Sequence, residues 1–471
     1  MEEDHSSKKI WFIVGGIVIL LIAAATVYVL FSKQGSDGTG TTKGVGSLFG
    51  FIGTDVGRPV TGDIRPGSLV PDGTVTSGAP DEALFRQLST IQIAGATAVV
   101  RDGKTLVRYV SRENGFIYEA DPVTGTSRQL TNTTVPRIYE AFWGNNGQTV
   151  VLRFLQKDPL TNRDVIKTQI GDLALPISTT TAVLGSLEGL RDRLPDNISQ
   201  VSISRKGAYL FYLLPVTDGV SGTIVTLANR IPKEVLRLSF SEWLPSMLDD
   251  GNVILTTKPS AEVPGFAYLY DTGARTLSRI LREKNGLTTE AGPSGKRVLY
   301  GENVSGNTFL SMYDRLGFSS EEGDITHTEP LQLATLPEKC AWAENAVRIF
   351  CGAFAATPHK QVPDEWYQGL LAFQDTFWTI NTDNSEIVFL ADPKKEINRS
   401  FDVLSAFTGG DEKHFFFIDK NDFTLWSMRL MKEKYESVGE VSADPALPTA
   451  PALTPEELKD AAGSSASTSV R

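Results

Sequence analysis

Histidine and cysteine are scarce in this chain, numbering four and two in 471 residues. His5, His327, His359 and His414 stand far apart, with no pair at the short spacing that metal ligands need, so no metal is expected. Cys340 and Cys351 form no C-x-x-C, which excludes a dithiol redox motif. Basic charge is also short: 45 Lys plus Arg against 56 Asp plus Glu gives a net charge of -11. An acidic chain without a basic stripe repels phosphate backbones, so nucleic acid is not an expected partner. Helical periodicity is nearly missing as well; between 81 and 441 only 185–194 reads as a helix.

Catalytic patterns are missing too. Gly292-Pro-Ser-Gly-Lys296 ends like a phosphate loop, but the first glycine of that motif would fall on Glu290, and neither Ser nor Thr follows Lys296. Gly44, Gly46 and Gly50 misspace the dinucleotide fingerprint. Asn381, Asp383 and Ser385 have the rhythm of a calcium loop, but Glu386 stands where glycine is needed and Asp392 where the closing Glu belongs. The adjacent carboxylates Asp249 and Asp250, and Glu321 and Glu322, lack the facing geometry of acid–base pairs. No G-x-S-x-G elbow occurs. No catalytic residue, cofactor or metal ligand is assigned.

One long apolar run is present. Residues 10–31 carry no charge and, as a helix, span about 33 Å, enough for a hydrocarbon core of about 30 Å. Ile10 and Phe31 bound the run, and Trp11 and Tyr28 lie where rings prefer the membrane interface. A cleaved signal has a shorter apolar core, so an uncleaved anchor embedded in membrane lipid is expected. Lys8 and Lys9 precede it and Lys33 follows, a bias toward a cytoplasmic tail over 1–9 and an exported body. Residues 32–80 are rich in Gly, Ser and Thr, the composition of a flexible linker. Residues 442–471 are Pro-, Ala- and Ser-rich and read as a disordered tail.

The remaining body, 81–441, repeats itself. Apolar strands alternate with glycine turns at Gly103, Gly147, Gly207, Gly251 and Gly295, spaced 44, 60, 44 and 44 residues apart. Weaker copies follow at 340–351 and 404–417. A unit near 44 residues is the length of a four-stranded propeller blade. Some 360 residues is also too many for one sandwich core, whereas blades need pack only on neighbours. The expected fold is all-β, a seven-bladed β-propeller (a count of six or eight also fits) preceded by one transmembrane α-helix.

Asp121-Pro-Val-Thr-Gly125, then Gln129-Leu-Thr-Asn132, then Phe142-Trp-Gly-Asn-Asn-Gly147 before an apolar strand resembles the repeat of TolB-like (WD40-like) propellers. Gly144, Asn145 and Asn146 replace that family's Ser-Pro-Asp. The likeness covers most of 81–441 and implies a fold in which Trp143 and Gly147 hold a blade together. The stretch from Cys340 to Trp378 looks like an N-terminally anchored branch of such propellers from small-genome bacteria. TolB proper carries a cleaved signal and an α/β domain not recognisable here, so its partners are not carried over.

Cys340 and Cys351 lie symmetrically about Asn345-Ala346. With that dipeptide at a hairpin tip, facing residues sum to 691 and the two cysteines oppose each other, at a Cα separation of about 4.5 or 5.5 Å that suits a disulfide. Two buried thiols are the alternative; a bridge needs an oxidising compartment and supports export. The densest aromatic stretch is Trp366, Tyr367, Phe373, Phe377 and Trp378, of which Trp366, Tyr367, Phe377 and Trp378 are a candidate binding surface if exposed and blade core if not. The expected function is a membrane-anchored, extracytoplasmic binding or scaffolding module in the cell envelope, with a protein or envelope glycan partner engaged through long loops such as 156–200 and 353–366. Two alternatives stand beside it: an envelope hydrolase or lyase using carboxylates around the channel, and a structural subunit of an envelope complex.

Overall fold

A computed structural model describes residues 83–176, 184–190, 194–314, 327–354 and 361–436. The apolar run 10–31, the linker 32–80 and the tail 442–471 lie outside them. Among the described residues no helix is long and apolar enough to cross a membrane.

The body is a ring of seven four-stranded antiparallel sheets. Six are consecutive stretches of chain, at 93–129, 138–188, 200–238, 243–285, 288–330 and 340–391. In each, the strands run in chain order from the first to the fourth. First strands of blades 6, 7, 1, 2, 3 and 4 pack in succession and form the inner wall. The seventh blade is composite: Val403–Thr408, His414–Asp419 and Leu425–Arg429 are completed by Phe85–Gln87 from the other end of the body. Phe85 pairs with Met428 and Gln87 with Trp426, so the ring is closed by hydrogen bonds between its two chain ends.

The repeated glycines explain the repeated turns. Asp102-Gly103 is a two-residue hairpin with φ of 53° and 72°, the left-handed pair that matches strand twist. Gly207 has φ of 68°, and a Cβ there would lie 2.6 Å from the Cα of Gly144 in the preceding blade, so only glycine fits. These first turns are stitched together around one face of the ring. The backbone N–H of Asn145 donates to Gly207 O at 3.0 Å, that of Lys206 to Asp249 Oδ1 at 2.8 Å, and that of Glu344 to Glu412 Oε1 at 3.1 Å.

Apolar side chains fill the wedges between blades. Trp143 lies among Val110, Ile117 and Val150, and Gly147 O accepts from Arg108 of the first blade at 2.8 Å, the holding role expected of both. Blades 6 and 7 share a phenylalanine cluster of Phe85, Phe350, Phe377, Phe401, Phe415 and Phe417.

Two local expectations change. Residues 185–194 do not open as a helix: Ser186–Glu188 is the outer strand of blade 2, with Leu187 paired to Leu173 and buried. Packing on the blade outweighs the helical periodicity there, and Gly189 at φ of 73° ends the strand. The segment 156–200 also holds the 11-residue strand Asp164–Ala174, which explains the 60-residue spacing of this blade.

Candidate functional site

Facing residues in the Cys340 hairpin do sum to 691: Cys340 opposes Cys351, Ala341 opposes Phe350 and Trp342 opposes Ile349. The two sulfurs are bonded, with Cα atoms 4.1 Å apart. The tip is wider than a dipeptide, because Ala343 N donates to Arg348 O and Asn345 Oδ1 accepts from Val347 N. Trp378 faces Cys351 on the next strand and covers the bridge.

The four aromatics do not form a surface. Trp366 is 0% exposed, Phe377 1%, Trp378 2% and Tyr367 6%. Phe377 belongs to the phenylalanine cluster, and Trp378 spends its indole N–H on Thr376 Oγ1 at 2.8 Å. Trp366 and Tyr367 lie on a short helix, α1 (Asp364–Tyr367), within the connection between the second and third strands of blade 6. That connection folds back over the ring instead of projecting from it.

Residues 361–374 reach four blades on the face opposite the glycine turns. Asp364 Oδ2 accepts from Ala261 N of blade 4 at 2.6 Å, and Val362 O accepts from Asn303 Nδ2 of blade 5 at 3.3 Å. Tyr367 donates its phenol to Glu338 at the entry to blade 6. Trp366 Nε1 donates to Asp402 at the entry to blade 7.

Under this loop lies a wholly buried charge cluster. Lys339 Nζ bonds Asp375 Oδ2 at 2.5 Å and Asp402 Oδ1 at 2.6 Å, with all three side chains 0% exposed. Lys420 approaches Asp402 at 3.9 Å and donates to Leu371 O at 3.2 Å. Both ammonium groups sit over the Trp366 ring, at 5.3 and 5.0 Å. Burial raises Asp375 to about 6, Lys339 pulling against the rise, and lowers Lys420 to about 8. Removing one member would strand the others in low dielectric, so the cluster locks blades 6 and 7 and the loop into one arrangement.

Glu338 and Lys339 share a 3₁₀ turn, Pro337–Lys339, and point different ways. Lys339 enters the core; Glu338 is half-buried beside Glu290 of strand Thr288–Ala291, the first strand of blade 5. Burial, reinforced by the Glu338 charge and opposed by Arg205, raises Glu290 to about 7. Burial raises Glu338 too, against the pull of the Tyr367 hydrogen bond. Arg205 follows the first strand of blade 3 and donates to Trp342 O of blade 6 at 2.9 Å. Blades 3 and 6 are as far apart as a ring of seven allows, so this exposed arginine spans the axis. Glu290 of blade 5 therefore feels charge from two other blades, Glu338 at the entry to blade 6 and Arg205 of blade 3.

Among the described residues no group of His, Cys, Asp and Glu is arranged to hold a metal ion. Sequence reading met Glu290 only as a misfit in a phosphate loop and passed over Glu338. The available signal was an acidic residue inside an inner strand, just before a blade turn.

No protein-family profile matches the chain, and no characterised protein matches it in sequence. Similar solved structures include propellers. TolB from Acinetobacter baumannii is 14% identical over 59% of this chain, with a TM-score of 0.36; the chain spans 59% of that TolB. An oligogalacturonate lyase in complex with manganese is 12% identical, covering 79% of this chain and 100% of its own, with a TM-score of 0.49. The RRP9 WD40 repeats are 9% identical, covering 74% and 99%, with a TM-score of 0.45. The chain is a seven-bladed β-propeller with TolB and WD40 propellers among its structural neighbours, and its own sheet topology carries that assignment.

Proposed function

We propose that this chain is a membrane-anchored, extracytoplasmic propeller that acts as a binding or scaffolding module in the cell envelope. Residues 10–31 anchor it in lipid, 1–9 remain cytoplasmic, 32–80 form the tether and 442–471 a free tail. The uncharged apolar run supports the anchor, and the Cys340–Cys351 bridge supports an oxidising compartment. The observation that carries the binding reading is the axial convergence of Arg205, Glu290 and Glu338 from different blades. A protein or envelope glycan offering cationic or hydrogen-bond-donating groups matches two carboxylates flanked by one guanidinium. A photo-crosslinking amino acid at Lys206, exposed beside Arg205, tests it in native membranes. A discrete adduct at this position, absent with the same probe at the exposed Leu160 of the opposite face, supports the reading; identical products from both sites reject it.

One observation favours a second reading, an envelope hydrolase or lyase. Glu290 and Glu338 both hold protons more tightly than ordinary carboxylates, as a general acid requires. Turnover of envelope glycans by the purified protein, abolished by Glu290→Gln with the fold intact, would establish it; binding without turnover returns the first reading.

A further inference from the structure

The second strand of blade 1, Lys104–Ser111, runs from the Gly103 turn to the opposite face of the ring, and Arg112 follows it there. Together with Ile91, Gln92 and Glu113, residues Ser111 and Arg112 line an open cleft of about 440 Å³. Blades 7, 1 and 2 meet around it. The Arg112 guanidinium lies 4.3 Å over the ring of Phe423, in the turn between the second and third strands of blade 7. Its Nη2 donates to Tyr139 O, on the first strand of blade 2, at 3.4 Å. The backbone N–H of Arg112 donates to Gln92 O at 3.0 Å, which ties the loop to the entry of its own blade. The guanidinium is thus seated by a ring stack and a hydrogen bond.

What it lacks is an acid. Arg108, Arg153, Arg297 and Arg399 each bond a carboxylate, whereas among the described residues no carboxylate lies within ion-pair distance of Arg112. Glu140, on the same strand as Tyr139, is taken up by Arg153. Arg112 Nε and Nη1 meet no acceptor among the described residues, and neither is sealed from solvent. Ser111 is 1% exposed, yet its hydroxyl borders the cleft with no hydrogen-bond partner among the described residues. A hydroxyl and a guanidinium left unpaired in partial burial carry a desolvation cost that an anionic oxygen ligand removes. The planar guanidinium fork matches the two oxygens of a carboxylate. Glu113 on the same lining balances the arginine, which disfavours multiply charged anions and offers an acceptor to a group beside the carboxylate. We infer that this cleft binds a ligand carrying a single carboxylate: Arg112 takes the two oxygens, Ser111 and Gln92 add donors, and Glu113 accepts from a neighbouring hydroxyl or ammonium group. A sugar acid and the end of a peptide both offer that chemistry.

Arg205, Glu290 and Glu338 do not line this cleft, so the site stands or falls independently of the axial one. Ligand-observed NMR titration of the full chain tests it with glucuronate and alanylalanine, each beside a counterpart without the carboxylate, glucose and alanylalaninamide. Saturable one-to-one binding of at least one acid is expected, about ten-fold or more weaker for its counterpart. Arg112→Lys, which keeps the charge but loses the fork, should weaken it to a similar extent. Gln92→Ala alters an exposed side chain and leaves the backbone seat of Arg112 intact, and should weaken binding without unfolding the chain. The acid that binds more tightly identifies the source of the carboxylate. No saturable binding of either acid at millimolar concentration, equal binding of its counterpart, tighter binding of inorganic phosphate, or binding unaltered by both substitutions overturns the inference.

Discussion

Trp366 donates its indole N–H to both oxygens of Asp402, at 3.0 and 3.1 Å. One aromatic residue of blade 6 is thereby fixed to the entry of blade 7, while its neighbour Tyr367 is fixed to Glu338. The pair Trp366-Tyr367 grips the pair Glu338-Lys339, and each pair sends one member toward the core and one toward the axis. Charge that holds the ring together thus sits one residue from charge available for recognition.

Replacing Trp366 by Phe keeps most of the buried ring but removes a donor from a charged acceptor. A loss of about 1.5–3 kcal/mol in unfolding free energy is expected by denaturant titration. An unchanged midpoint would mean that the indole N–H contributes nothing to seating the loop.

Lys339→Met removes the one cation that, among the described residues, is bonded to both Asp375 and Asp402, leaving two buried carboxylates with Lys420 3.9 Å from Asp402. Stability should fall by about 3–5 kcal/mol. Adding Asp375→Asn and Asp402→Asn should recover part of the loss, since uncharged side chains need no counter-ion. A triple variant less stable than the single one would contradict the charge-pairing account.

Much of this arrangement was readable in advance, and the part that was not has a common cause. The glycine turns announced the blades because left-handed backbone is a local demand that few residues meet, and the cysteine register followed from hairpin symmetry. The fate of Trp366 and Tyr367 was settled by the loop 361–374 folding back onto Ala261, Asn303 and Asp402, contacts up to 103 residues away in sequence. Glu290 escaped notice because its partner Glu338 belongs to another blade. Residues 185–194 carry a helical pattern that the outer edge of blade 2 overrides.

Ring closure depends on Phe85, which is 5% exposed and packs on Phe377 and Phe401 at centroid distances of 5.3 and 5.8 Å. Phe85→Ala should cost about 3–5 kcal/mol, as for other buried phenylalanines. Leu160→Ala, at a side chain 93% exposed, should cost almost nothing. Equal effects in thermal unfolding would show that the terminal strand does not close the ring.

Glu290 supplies a pH signature. The folded chain holds its proton until about pH 7, whereas an ordinary glutamate releases it near 4.5. This group therefore favours the fold in acid, and the benefit is lost as pH rises from about 4.5 to about 7. Site-resolved NMR titration should place its midpoint near 7, and Glu338→Gln should move the midpoint downward by removing the neighbouring negative charge. A midpoint in the ordinary carboxylate range would contradict the axial pairing.

The most direct trial of the binding account compares capture by a photo-crosslinker at position 206 in cells carrying the native protein or the Glu290→Gln, Glu338→Gln double variant. The account predicts that the adduct falls at least about ten-fold in the variant, equivalent to the loss of about 1.4 kcal/mol of recognition, while the protein stays folded. An adduct of undiminished yield would show that the axial carboxylates do not take part.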